Sequence, residues 1–200
     1  MRSILQGLSL LAVPASAFAH ELTTEYGAFL GSALHIFTEV DHFAAFAVLG
    51  LLAGQNEASA RILGAVAFLV ALVLGMVAPL AFAGFGAFES VERLLGAATM
   101  FVTGILVAVG MQLPGWVTAL VGAAVGMVHG IANGLAIAAS SQSVVVVSVL
   151  GGVAAAVVIA VVGLLVAGAL NGLRGRLVVR VVGSWVAALS LILMGLALRG

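Results

Sequence analysis

Four ionisable side chains fall within eight consecutive positions of one apolar stretch, His35-Ile36-Phe37-Thr38-Glu39-Val40-Asp41-His42. Imidazole and carboxylate without thiolate suit borderline first-row divalent ions such as Ni²⁺, Co²⁺, Zn²⁺ or Cu²⁺. Cys is absent, which removes zinc–thiolate sites, iron–sulfur clusters and thiol nucleophiles together. On a continuous helix, His35, Glu39 and His42 share one face, and Asp41 points about 120° away toward a different neighbour. His35 and His42 are then ~10.5 Å apart along the axis, an awkward separation for one ion with bonds of about 2 Å. Glu39 and His42 make the easier pair, with His35 a second station and Asp41 orienting a ring from behind. The competing reading is a polar packing network between helices.

A second apolar stretch offers a counterpart. His129 and Asn133 are spaced i, i+4, and Gly122 and Gly126 extend their face with small residues that leave room for a ligand. Glu89 and Glu92 open a third stretch as carboxylates that attract a cation. His20, beside Glu21 and Glu25, would offer an α-amine and an imidazole if the chain were cleaved just before it. The Met residues are scattered and read as core filler.

The composition says where this chemistry sits. Hydrophobic residues are 64 % of the 200, charged residues 7 %, and mean hydropathy is +1.35. A soluble domain carries roughly 25 % charged residues, so this is a membrane protein. Net charge is zero, which leaves no basic face for nucleic acid or anionic lipid.

Residues 1–19 read as a signal peptide. Arg2 precedes the apolar run Ile4 to Val13, Pro14 breaks it, and Ala17-Phe18-Ala19 supplies the cleavage pattern. Residues 20–200 then form one domain, an all-α compact bundle of six transmembrane helices. The expected spans are about Tyr26 to Leu52, Arg61 to Phe82, Glu89 to Met111, Trp116 to Ala139, Val144 to Leu170 and Leu177 to Leu198. Their connections are short, so neighbours run antiparallel. Arg61, Arg174, Arg176 and Arg180 fall on one side, against Arg93 and Arg199 on the other. By the positive-inside rule this places the mature amino terminus outside or in a periplasm. Every-fourth small residues (Gly122, Gly126, Gly130 and Gly134; Ala67, Ala71 and Gly75; Gly152, Ala156 and Ala160) mark helix contacts.

These residues resemble the HupE/UreJ family, membrane proteins associated with nickel-hydrogenase and urease maturation. The family's first-span pattern, His-Pro-x-x-Gly-x-Asp-His, is matched at His35, Asp41 and His42, with Ile36 and Glu39 replacing Pro and Gly. Its His-Gly-His-Ala-His-Gly pattern is similar to His129-Gly130-Ile131-Ala132-Asn133-Gly134, where one His remains. Its acidic residue opening the third span is matched by Glu89 or Glu92. The resemblance implies a nickel or cobalt permease without organic cofactor, carrying a divalent ion past His35, Asp41, His42 and His129 and working with maturation proteins; Glu39, outside the family pattern, is expected as a compensating ligand. Two other functions stand beside it: a non-transporting accessory or metal-sensing subunit, and an intramembrane zinc hydrolase. The hydrolase lacks both His-Glu-x-x-His and Gly-x-Ser-x-Gly.

Overall fold

A computed structural model describes residues 15–82, 89–139 and 144–199, with side chains from residue 27 onward except at 89 and 90. Most of the expected signal peptide, and the side chains of His20 and Glu89, lie outside the described residues. The described chain is all-helical: α1 (Ala15–Thr38), α2 (Val40–Gln55), α3 (Ala58–Ala81), α4 (Glu89–Val109), α5 (Gly115–Ala139), α6 (Val145–Ala169) and α7 (Leu173–Ala197). Helices α3 to α7 are each long and apolar enough to cross a membrane. Residues 27–38 of α1 and helix α2 pass the same test only as a bent pair, meeting at 78°, which makes a sixth where the pair is counted as one span. Helix α7 starts at Leu173 rather than Leu177, because Gly172 adopts the extended N-cap conformation (φ −70°, ψ 167°). Arg174 and Arg176 therefore ride on its first turn instead of a loop.

The first span departs from the uniform helix that the sequence suggests. Within α1, Gly27 has φ 78° and ψ 165°, a conformation that a residue with a Cβ resists. A second break falls at Glu39 (φ −77°, ψ 115°). A break inside a membrane must recover its backbone hydrogen bonds within the protein. Glu39 N–H still donates to the His35 carbonyl (2.9 Å), and Phe43 N–H to the Glu39 carbonyl (3.0 Å). The Thr38 hydroxyl donates to the Leu34 carbonyl (2.9 Å), a bond of the kind that bends helices. Asp41, in the first turn of α2, accepts the His42 N–H at 2.9 Å. Its negative charge also suits the positive end of that helix.

The most extensive contacts join α3 to α5, α4 to α7, and α1 with α2 to α6, so main partners are never sequence neighbours. The glycine stripe of α5 explains the first pairing. A Cβ at Gly122, Gly126, Gly130 or Gly134 would collide with the backbone of Gly64, Phe68, Leu72 or Met76, in that order. The two helices are parallel and in backbone contact, as small-residue packing in lipid permits. This corrects one expectation: Gly122 and Gly126 are filled by α3 and leave no room for a ligand. Helices α2 and α6 meet in the same way at Gly50 and Gly163, and α4 and α7 at Gly104 and Gly183.

The outward face is apolar, with Ile62, Val66, Val70, Val162, Leu165 and Ile192 each more than half exposed. Three connections gather at one end. The Gln55 amide donates to the Val107 carbonyl (3.2 Å), Leu113 N–H to Asn56 Oδ1 (2.6 Å), and Arg180 Nε to the Ala108 carbonyl (2.7 Å).

Candidate metal centre

The break at Glu39 decides the geometry of the polar cluster. A straight helix would hold His35 and His42 ~10.5 Å apart, whereas the 78° bend brings their ring centroids to 5.6 Å. Asp41 does not face a different neighbour. Its Oδ1 accepts from His42 Nδ1 at 3.0 Å, and both side chains turn toward α5. There the His42 and His129 rings stand nearly perpendicular, 5.2 Å apart. One donor atom from each of Asp41, His42 and His129 lies within 4.8 Å of the others, and both imidazoles are buried. Glu39, the partner expected from helical spacing, stays with His35 at 3.8 Å and outside this group of three.

Each imidazole has one nitrogen already committed. Since an ionised carboxylate only accepts, a neutral His42 carries its proton on Nδ1 toward Asp41, leaving a lone pair on Nε2. That Nε2 atom is buried and has no hydrogen-bond partner. On the other side, Thr99 Oγ1 lies 3.3 Å from His129 Nε2 and 2.8 Å from the Gly96 carbonyl. The single hydroxyl proton goes to the carbonyl, so the hydroxyl accepts from His129 Nε2–H and the Nδ1 lone pair is left over. An imidazole held through one nitrogen by a carboxylate or hydroxyl, with the other presented inward, is the arrangement that metal-binding histidines adopt.

Asn133 adds an oxygen. Its amide nitrogen donates to the His129 carbonyl at 2.7 Å, which directs Oδ1 away from it. Oδ1 is buried without a partner. A buried polar atom without a partner costs roughly 1–3 kcal/mol, a cost that a ligand bound at His42 Nε2 and Asn133 Oδ1 would offset; Gln55 Oε1, at the far end of α2, is a third such atom among the described residues. Glu92 is half-buried near the start of α4.

Sequence reasoning did not single out Phe46, one turn beyond His42 on α2 and fully buried. Its ring lies edge-on to His42 (6.2 Å), His129 (5.6 Å) and Phe68 of α3 (5.5 Å). Its i+4 spacing from His42 was the available signal. Beyond it, Val48, Leu52, Val107 and Val125 are at most 2 % exposed. From His42 to Gln55 this apolar filling extends about 20 Å along α2.

Neither the curated proteins nor the solved structures gave a significant match to this chain. A family does: the model of the HupE / UreJ protein family matches residues 8–193, nearly the full length, with the His35–His42 stretch, the break and His129 all inside the match. The chain belongs to the HupE / UreJ family.

Proposed function

We propose that this protein is a secondary importer of a divalent transition metal, nickel or cobalt before zinc or copper, in a bacterial inner membrane with its mature amino terminus in the periplasm. The observation that carries the reading is the convergence of Asp41, His42 and His129 donor atoms within 4.8 Å, with His42 Nε2 buried and unpartnered. Neutral imidazoles with carboxylate and amide oxygen suit such ions. The ion is captured near His20, Glu89 and Glu92, passes His35 and Glu39, and is held by Asp41, His42 and His129 with Asn133 Oδ1 as a further oxygen donor. Phe46 closes the way onward, so release requires that ring to move.

No nucleotide-binding motif is present in the sequence. A divalent cation moving inward gains about 4.6 kcal/mol per 100 mV of membrane potential, twice the single-charge value, and transfer to hydrogenase or urease maturation proteins would pull it further. Metal accumulation in cells expressing the wild type, His42→Ala or Asp41→Ala at equal levels tests the reading. Uptake by the wild type alone is expected; equal accumulation in all three strains overturns it. The ~20 Å of apolar side chains beyond Phe46 favours a second reading, a sensor or accessory subunit that binds metal without releasing it inward. That reading requires wild-type metal binding by the purified protein with no uptake.

A further inference from the structure

Away from the polar cluster, the bundle surface carries a groove of about 250 Å³ between α3 and α6, with α2 as its floor. Leu49, Leu52 and Phe68 form the base, while Ile62 and Val161 are exposed at the rim. The lining is apolar except for Thr118, whose hydroxyl is spent on the Ala60 and Gly115 carbonyls, and Arg61, its one charged residue, at the end where the α2–α3 connection lies. Between Arg61 and Phe68 the groove follows α3 for ~10 Å, enough for half of an acyl chain.

Arg61 is poorly placed for helix stability. It sits in the first turn of α3, where the helix dipole disfavours a cation. Glu57, one turn earlier, is exposed, and among the described residues no carboxylate lies within ion-pair distance of Arg61. Instead its Nε and Nη2 donate to the carbonyls of Ala53 (3.2 Å) and Asn56 (3.1 Å). These bonds fix the guanidinium over the groove end, and its other N–H donors have no partner among the described residues. A fixed, uncompensated guanidinium suits bidentate contact with a phosphate.

We propose that this groove binds an anionic phospholipid, one acyl chain lying over Leu49, Leu52 and Phe68 and the phosphate resting on Arg61. The charge complementarity at one end and the apolar lining along the rest select this occupant over a zwitterionic lipid or a helix of a second copy. The site is independent of the proposed cation transport.

The test is native mass spectrometry of the full chain, delipidated in detergent and offered phosphatidylglycerol or phosphatidylcholine of identical chains. The wild type is expected to retain one phosphatidylglycerol about fivefold more tightly, the ratio given by the ~1 kcal/mol of one basic side chain at an anionic headgroup. Arg61→Gln should abolish that preference, whereas Arg174→Gln, exposed at the same end but outside the groove, should keep it. Ala65→Phe, filling the groove from its exposed position, should lower retention of both lipids. Equal retention of the two lipids by the wild type overturns the proposal without recourse to any variant. So does an unchanged preference in Arg61→Gln, or a dimer that Ala65→Phe dissociates with no effect on lipid.

Discussion

Asp41 and His42 are consecutive residues that bind each other twice: one carboxylate oxygen, Asp41 Oδ1, takes both the backbone N–H of His42 (2.9 Å) and its Nδ1 (3.0 Å). Adjacent side chains on a regular helix point about 100° apart and do not meet in this way. The pairing depends on their place in the first turn after the break at Glu39. It fixes the His42 ring with Nε2 toward the interior.

Removing the charge while keeping the shape tests that relationship. Asp41→Asn should weaken nickel binding by about 10–100-fold, the usual loss when a histidine's carboxylate partner is removed, while circular dichroism stays unchanged. Titration calorimetry on purified protein measures it. Wild-type affinity would show that the carboxylate neither orients His42 nor touches the ion.

Thr99→Val removes the hydroxyl that faces His129 Nε2 at nearly constant volume. Nickel affinity should fall by about tenfold, less than for His129→Ala, which should abolish binding. If Thr99→Val binds as the wild type does, the Thr99 contact does not set the His129 tautomer.

Protons and metal compete for the same imidazole lone pairs. Binding should be lost as the pH falls far enough to protonate them. The sign follows because only neutral imidazole donates to a metal. Equilibrium dialysis over a descending pH series reads this directly, and affinity that stays constant to the acid limit of folding would remove the histidines from the site.

The lack of cysteine in the sequence allows a direct test of closure at Phe46. A single cysteine at Val125, 1 % exposed and one turn from His129 on the inner side, should resist a charged, membrane-impermeant thiol reagent. In a Phe46→Ala background it should react, at a stability cost of about 3–5 kcal/mol. Protection in both backgrounds would mean that Phe46 is not what closes the path.

Two glycine substitutions should have opposite effects. Gly126→Ala drives a methyl group into the Phe68 carbonyl and should destabilise the α3–α5 pair by about 1–3 kcal/mol. Gly195→Ala meets nothing within 4 Å and should stabilise α7 by up to ~1 kcal/mol through helix propensity. Thermal melting in detergent compares them.

Span positions were legible in the sequence because the bilayer demands long apolar runs, and most helix ends fall within a few residues of the expected ones. The close approach of α5 to α3 was legible in its four evenly spaced glycines. The break was not. Helical-wheel arithmetic assumes one axis, and neither Pro nor Gly interrupts residues 35–42 to contradict it. That assumption turned Asp41 away from His42 and held His35 too far from it. Phe46 was hidden for another reason. In a chain that is 64 % hydrophobic, one more apolar residue carries no signal until its neighbours in space are known.

The interleaved pairing of the helices bears on the order in which the protein is made. His42 and Asp41 leave the ribosome 87 residues ahead of His129, an interval of about 4–17 s at ordinary rates of synthesis. The companion of α2, helix α6, follows later still. During that interval the first span holds two acids and two imidazoles in the bilayer without α5, which carries His129, and without α6, the main partner of α2. The bond between Asp41 and His42 is local and available from the start, so it is the one element of the site that can shield its own charge while the rest of the chain is being synthesised.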